Sequence, residues 1–256
     1  MLIDTHAHLD SDDFSTDLPE VLARAAAADV RLIVTSGADL ESGHKAVALA
    51  EGNPQIYATV GIHPQEASRV PPDYLLQLQE WSAQARVVAI GEIGLDLYRR
   101  YAPLERQLDL FATQLELARR LNKPVVIHDR EAHAETLATL REHGKGLRGV
   151  MHCFSGDLQT ALAAIDMGLL IGLGGAVTFQ NARRLQALVR ELPLEHIVLE
   201  TDCPYMAPHP YRGKRNEPAH VSLVAAQIAS LQQLPPERVA DVTTANAARL
   251  FGLSVP

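Results

Sequence analysis

The stretch VVAIGEIGLDLYRRYAPLERQLDLFATQLELARRLNKPVVIHDR, residues 87–130, contains the pattern that decides the fold. Its two ends, VVAIGEIG and PVVIHDR, are apolar runs rich in β-branched residues, and each predicts a strand. The segment between them predicts an amphipathic helix, because apolar residues recur there at three- and four-residue spacing. These residues are Leu104, Leu108, Phe111, Leu115 and Ala118. A strand, a helix and a second near-continuous apolar strand are typical of a parallel sheet covered by helices.

The same alternation runs along the whole chain and gives eight strand candidates. They are LIDTHAH, RLIVTSG, IYATVGIH, VVAIGEIG, PVVIHDR, GVMHCF, LLIGLGG and IVLETD. Eight such units in 256 residues, with no linker between them, predict one α/β domain over residues 1–256 with the (β/α)₈ barrel architecture. A nucleotide-binding sheet is disfavoured, because GLGG at 172–175 is neither a G-x-G-x-x-G nor a Walker motif. We interpret GLGG as close backbone packing at a strand end.

Composition narrows the function classes. Hydrophobic residues make up 47% of the chain, and the net charge of −8 disfavours a broad basic surface that would coat nucleic acid. A local group of cations would still be able to hold a few phosphates. The longest apolar run, MGLLIGLGGAVTF, is too short for a membrane span, and the chain start does not resemble a secretion signal. We therefore predict a monomeric cytoplasmic protein, with Cys153 and Cys203 as small buried residues that point toward the helices.

Residue types that bind metal ions stand where the predicted strands stop being apolar. They are His6 and His8 at the end of the first strand, His63 at the end of the third, Glu92 in the fourth, His128 in the fifth, His152 in the sixth and Asp202 at the end of the eighth. All fall at carboxyl ends of strands, the face at which barrel enzymes carry their chemistry. One such residue alone is usually a hydrogen-bonded histidine or a turn residue. Together they predict a metal site, because burying so many ionisable groups without a cation is costly.

The number of candidate ligands favours two ions. Four histidines and two carboxylates exceed the three or four ligands of one catalytic ion, and we expect Glu92 to bridge the two. The ligands predicted for one ion are His6, His8, Glu92 and Asp202, and those predicted for the other are Glu92, His128 and His152. A mixed shell of nitrogen and oxygen suits Zn²⁺, Mn²⁺ or Fe, and it suits Mg²⁺ less well.

Further residues around this site have two interpretations each. Glu200 shares a face with Asp202 and either orients a ligating imidazole or is a buried carboxylate satisfied by backbone or water. Arg130 either binds a phosphate with its planar fork or forms a salt bridge at the barrel rim. His63 binds a terminal phosphate or a third ion, or has a structural role. Asp202 is the candidate general base as well as a ligand.

The loop PYMAPHPYRGKRNEPAH directly follows Asp202 and combines proline, aromatic and basic residues. Tyr205, Tyr211, Arg212 and Arg215 are predicted to stack on bases and to neutralise backbone charge, as in proteins that bind single strands. A loop that is merely rigid because of its prolines is the alternative.

Seven motifs in order resemble the TatD family of metal-dependent hydrolases. They are DTHAHLD, GIHP, GEIGLD, PVVIHDR, HCFSG, ETDCPY and RGKRNEP, and the resemblance extends to TTANAARLFGL at residues 243–253. It implies an amidohydrolase-type barrel with a divalent two-metal site that hydrolyses DNA phosphodiesters, often as a 3′ to 5′ exonuclease on a strand with a free 3′ end. Carried over by motif, it implies the same six ligands. These are His6, His8, Glu92, His128, His152 and Asp202.

Three function classes stay open at this stage. The first is a deoxyribonuclease, and the second is a metal-dependent ester or amide hydrolase, such as the D-aminoacyl-tRNA deacylases proposed within the same family. Two-metal chemistry serves either class, because it does not depend on whether phosphorus or carbon is attacked. The third and weakest is a binding module without catalysis. A basic rim around the site would favour nucleic acid, and a small apolar pocket would favour an acyl substrate.

Overall fold

The chain forms eight parallel strands that alternate with helices. The computed structural model of the protein describes residues 1–254. Its strands in this range are Leu2–Ala7 (β1), Val30–Ser36 (β2), Ile56–Val60 (β3), Val87–Asp96 (β4), Val125–Arg130 (β5), Gly149–Met151 (β6), Leu169–Leu173 (β7) and Ile197–Leu199 (β8). Its α-helices are Leu18–Ala27 (α1), Leu40–Gly52 (α2), Tyr74–Ser82 (α3), Leu104–Leu121 (α4), His133–His143 (α5), Leu158–Asp166 (α6), Arg183–Glu191 (α7), Val221–Gln232 (α8) and Pro236–Phe251 (α9). Val255 and Pro256, at the end of the predicted domain, lie outside the described residues.

The sheet closes on itself. Each strand pairs in parallel with the next, in the order β1 to β8. The ends meet where Ala7 bridges Cys203, with the His8 amide donating to the Cys203 carbonyl at 2.7 Å and the Asp202 amide donating to the His6 carbonyl at 2.9 Å. The predicted (β/α)₈ barrel is confirmed, and its closure brings the ends of β1 and β8 together.

Helix α4 shows how local sequence builds each unit. Its apolar stripe buries Phe111 and Leu115 completely. The helix ends at Leu121 because Asn122 adopts a left-handed conformation with φ of 52°, a common end for a helix. Helix α2 begins with a capping box in which the Asp39 carboxylate and the Ser42 side chain bind each other's backbone amides.

An apolar layer lies along the barrel beneath the strand ends. Its members include Val88, Val126, Val150 and Val198, and they pack with Leu250 and Phe251 of α9. Each valine stands two or four residues before a predicted metal ligand, so the two share a strand face. The polar residues at the strand ends therefore lie above a layer of buried apolar side chains.

The GLGG segment packs closely against its neighbours, as the sequence predicts. A Cβ on Gly172 would meet the Glu200 carboxylate, and one on Gly175 would overlap with the Met206 carbonyl. These glycines let the loop after β8 approach the end of β7. None of the helices in residues 1–254 is long and apolar enough to cross a membrane.

Strands β4 and β5 approach each other closely at Gly94. It has φ of +143° and pairs with His128, and a Cβ there would overlap with the His128 carbonyl. We expect Gly94→Ala to lower the free energy of unfolding by about 3 kcal/mol or more. The control is Gly52→Ala at the end of α2, where an added Cβ meets nothing within 4 Å among the described residues. Urea unfolding measures the free energy of unfolding of both variants. An equal decrease in the two would contradict the steric overlap inferred at Gly94.

Candidate metal centre

The six predicted ligands come together at the carboxyl end of the barrel, carried there by five strands or strand ends. His6 and His8 come from the end of β1, Glu92 from β4 and His128 from β5. His152 follows the last residue of β6, and Asp202 follows β8 in a left-handed conformation with φ of 57°. A non-glycine residue in this conformation is strained, and such strain is common where a side chain must be aimed.

One group of donor atoms lies between β1, β4 and β8. The Nε2 atoms of His6 and His8 are 3.2 Å apart. Oε2 of Glu92 is 3.4 Å from the first and 3.7 Å from the second. Oδ1 of Asp202 lies 3.5 Å from His8 Nε2 and 4.0 Å from His6 Nε2. Two imidazole nitrogens and two carboxylate oxygens thus surround one point.

The other oxygen of Glu92 faces a second group. His128 Nδ1 is 2.6 Å from Glu92 Oε1, and His63 Nε2 is 3.5 Å from the same atom. Glu92 therefore has one oxygen on each group, as expected of a carboxylate that bridges two ions.

His152 lies closer to the first group than we expected from the sequence. Its ring stacks on His6 with centroids 3.5 Å apart, and its Nε2 is 3.8 Å from both Glu92 Oε1 and Asp202 Oδ1. Oε1 is also the Glu92 oxygen that faces His128, so the sharing of one ion by His152 and His128 stays a prediction. His63 occupies the place beside His128, at the start of the 3₁₀ turn Pro64–Glu66 that follows β3.

Hydrogen bonds fix which ring nitrogens can serve as ligands. His8 Nδ1 lies 3.0 Å from the Ser36 carbonyl and must donate to it, which leaves the Nε2 lone pair directed into the site. His63 is the opposite case, because its Nδ1 accepts the Gln65 amide at 3.1 Å. Burial lowers the pKa of His63 and keeps it neutral, so its proton sits on Nε2, beside Glu92. His63 is therefore built as a hydrogen-bond donor at the site.

Two further buried carboxylates hold the imidazoles in place. Glu200 Oε2 is 3.2 Å from His152 Nδ1, while Oε1 accepts the Cys153 amide, which favours the predicted orienting role. Asp96 Oδ2 is 3.5 Å from His128 Nε2 and accepts Gln65 Nε2 at 2.7 Å. Asp96 was not among the residues predicted from the sequence, although it stands four residues after Glu92 and therefore on the same face of β4.

The charges of this cluster depend on one another. Burial opposes the charged form of His8, but the hydrogen bond to Asp202 and the charge of Glu92 outweigh it and raise the pKa of His8 to about 9. The pKa of His128 and that of His152 are each also raised to about 9 despite burial, the first by Asp96 and Glu92 and the second by Glu200 and Glu92. Burial would raise the pKa of Glu92, yet the surrounding histidines hold it well below its usual range.

These donors fit divalent metal ions. Nitrogen lone pairs that face each other at 3.2 Å require a proton or a cation between them. Imidazole nitrogens and carboxylate oxygens in this number are the ligands of hydrolytic two-metal sites.

The predicted substrate contacts surround this centre, with one correction. Tyr205 is 59% exposed and its ring lies 6.0 Å from that of His8. Arg212 stacks on Phe179, with its guanidinium carbon 4.4 Å from the ring centroid. Arg215 is not available to substrate as we predicted, because its two terminal nitrogens bind the Asp17 carboxylate at 2.8 and 2.6 Å. It anchors the loop to the start of α1.

Arg130 lies on the other side of the centre. Its guanidinium carbon is 4.1 Å from the centroid of the Tyr98 ring, in the loop after β4. Arg130 has no carboxylate within 4.0 Å in the described part of the chain, so the alternative of a rim salt bridge finds no partner there. Its charge is free for an anion.

Cys203 is buried as predicted, but Cys153 does not point toward the helices. Strand β6 ends at Met151, and Cys153 has φ of 45°, so the alternation of faces no longer applies. Its thiol is grouped with His152 and Glu200 and is partly exposed.

The geometry agrees with what the chain resembles among known proteins. The family model described as TatD related DNase matches residues 3–252. The chain belongs to the TatD-related DNase family. It is a metal-dependent hydrolase of that family, and its barrel and acid-histidine centre are those described above.

Individual TatD-family proteins are similar over the whole chain. The uncharacterized metal-dependent hydrolase YabD of Bacillus subtilis (strain 168) is 42% identical, over 99% of this chain and 100% of its own. The protein named 3′-5′ ssDNA/RNA exonuclease TatD of Edwardsiella piscicida is 36% identical, over 99% and 100%. The crystal structure of the TatD homologue YjjV of Escherichia coli K12 superposes with a TM-score of 0.94 at 36% identity, over 99% of this chain and 98% of that one.

Metal binding should release protons. In the metal-free protein His8, His128 and His152 each have a pKa of about 9 and are protonated at pH 7, whereas a ligating nitrogen must be free of its proton. We expect metal affinity to rise as the pH increases from 7 to 9 and to level off above that. Titration calorimetry at pH 7, in two buffers with different ionisation enthalpies, counts the protons released. Identical heats in both buffers would contradict the assignment.

Proposed function

We propose that this protein is a two-metal deoxyribonuclease that removes nucleotides from a free 3′ end, preferentially on single strands. The observation that carries the proposal is the position of Glu92 between two donor groups at a barrel mouth, where Arg130 and Arg212 have no carboxylate partner among residues 1–254. Additional support comes from the relative named as a 3′-5′ ssDNA/RNA exonuclease.

The proposed ligands are the six that the sequence indicates, with Zn²⁺, Mn²⁺, Mg²⁺ or Fe as candidate ions. They are His6, His8, Glu92, His128, His152 and Asp202. When bound, divalent ions lower the pKa of water and withdraw charge from phosphoryl oxygens.

The side chains around the ions have distinct roles in this proposal. Asp202 accepts the proton of the attacking water on a carboxylate oxygen and returns it to the leaving oxygen. Burial alone would raise its pKa, but His8 and His152 lower it, so Asp202 is ionised and able to accept at neutral pH. His63 donates Nε2–H to a non-bridging phosphate oxygen. Glu200 and Asp96 position His152 and His128.

Contacts to the strand lie farther out. Arg130 and Arg212 supply charge to phosphates, and each is held flat by an aromatic ring. Tyr205 offers an exposed ring on which a base can stack. Ester hydrolysis on the same ions is the competing function, and the experiment below separates the two.

Metal restoration tests the activity directly. Metal-stripped protein is given labelled single-stranded DNA with a free 3′ end, and release of mononucleotides is followed as Mn²⁺, Zn²⁺ or Mg²⁺ is restored. We expect stepwise release from wild type. In the His6→Ala/His8→Ala variant the rate of mononucleotide release should decrease by more than the roughly 10–100-fold loss that is typical of residues that only orient a ligand. If the wild-type protein binds metal and cleaves an aminoacyl ester but leaves DNA intact, the nuclease proposal is wrong and the ester hydrolase takes its place.

Substitution of Arg212 tests the rim. Arg212→Ala should raise KM for DNA about tenfold with little change in kcat, because one charged phosphate contact is lost. The matched control is Arg141→Ala in the last turn of α5, which removes the same charge elsewhere on the surface. A loss confined to kcat, or the same rise in KM for both variants, would count against a binding role.

A further inference from the structure

A cleft opens beside the metal centre, between the ends of β6 and β7 and the loop after β8. Its volume is about 490 Å³, within the range of small-ligand sites. Residues that line it include Cys153, Phe154, Leu185, Met206, Arg183 and Arg184. None of these residues is among the predicted metal ligands or substrate contacts.

The cleft is continuous with the reacting centre. Cys153 lines it and directly follows His152, and its thiol is grouped with His152 and Glu200. On the other wall, Met206 lies four residues after Asp202, in a turn where the Tyr205 amide donates to the Asp202 carbonyl at 2.9 Å. A ligand in the cleft therefore lies next to the proposed metal centre.

The chemistry of the walls is divided. Phe154, Leu185 and Met206 provide an apolar surface, and Met206 is 38% exposed, free to cover a flat ring. Arg183 and Arg184 begin α7 at the mouth and are exposed. Neither has a carboxylate within 4.0 Å in residues 1–254, although the protein carries a net charge of −8. Two adjacent guanidinium groups without a carboxylate partner among these residues are available to bind an anion at the mouth of the cleft.

An apolar slot with cations at one end matches a nucleotide, which has a flat base and a phosphate. We propose that this cleft binds the nucleotide on the 5′ side of the scissile bond. Its base lies against Phe154 and Met206, and its own 5′ phosphate, one linkage from the scissile one, is bound by Arg183 and Arg184. This inference rests on the proposed nuclease function and specifies where the retained strand is held.

The test combines a protein variant with a substrate variant. The substrate is a single-stranded hexanucleotide in which the second linkage from the 3′ end is either a phosphate or a neutral methylphosphonate, and release of the first nucleotide is measured. For wild type we expect the neutral linkage to lower kcat/KM about tenfold, as the loss of one charged contact does. In the Arg183→Ala/Arg184→Ala variant kcat/KM for the phosphate substrate should decrease by a similar factor. Replacing that phosphate with the neutral linkage should then lower kcat/KM of the variant by less than twofold. Such non-additivity is expected of groups in direct contact.

Two controls isolate the contact. Arg190→Ala, in the last turn of the same helix, should behave as wild type. Bis(p-nitrophenyl) phosphate, which has no second phosphate, should be hydrolysed equally by wild type and the double variant.

Three outcomes would overturn the inference. In the first, the arginine substitutions and the neutral linkage lower kcat/KM equally and independently. In the second, neither change lowers kcat/KM on the hexanucleotide, and in the third, the double variant loses activity to the same extent on the aryl phosphodiester. Wild type that hydrolyses the aryl phosphodiester but no oligonucleotide would overturn the proposed nuclease function instead.

Discussion

The carboxylate of Glu92 is only 3% exposed and has imidazole nitrogens of five histidines within 4 Å. A buried charge is stable only when opposite charge surrounds it, and the site must therefore hold protons or cations among these rings. Protons on the imidazoles satisfy this need in the metal-free protein, since the pKa of His128 is raised to about 9. Divalent ions satisfy it with better geometry, because one ion replaces several protons and is bound by several lone pairs at once. Metal dependence thus follows from the electrostatics of one residue.

The barrel makes this arrangement possible by separating its layers. Successive residues of a strand alternate between faces, so valines below and ligands above stand on the same side of β4, β5 and β6. The apolar layer lies beneath the proposed metal site and lowers the local dielectric there, which strengthens each electrostatic interaction above it. The polar residues of the rim are separate from this layer. Chemistry and stability are carried by different parts of the same strands.

Much of this was predictable from sequence because it follows from local pattern. Eight apolar runs specified the barrel, and the residues at their ends specified where His6, Glu92 and His128 would meet. Long-range pairing was not predictable: Arg215 looked like a free cation because its partner Asp17 lies 198 positions away. Backbone turns also escaped, since Cys153 follows a strand that had already ended and its left-handed conformation redirects the thiol. The stacking of the His152 ring on His6 was not predictable either, because β1 and β6 are not neighbours in the sheet and only closure of the barrel brings their ends together.

The proposal that two metal ions share the Glu92 carboxylate is tested by locating the ions relative to this residue. Crystals grown with Mn²⁺ give anomalous difference maps that locate each ion without assumption about its ligands. We expect two peaks, one between Glu92 and the pair His6 and His8, and one between Glu92 and His128. A single peak, or ions that do not contact Glu92, would contradict the shared carboxylate on which the proposed mechanism depends.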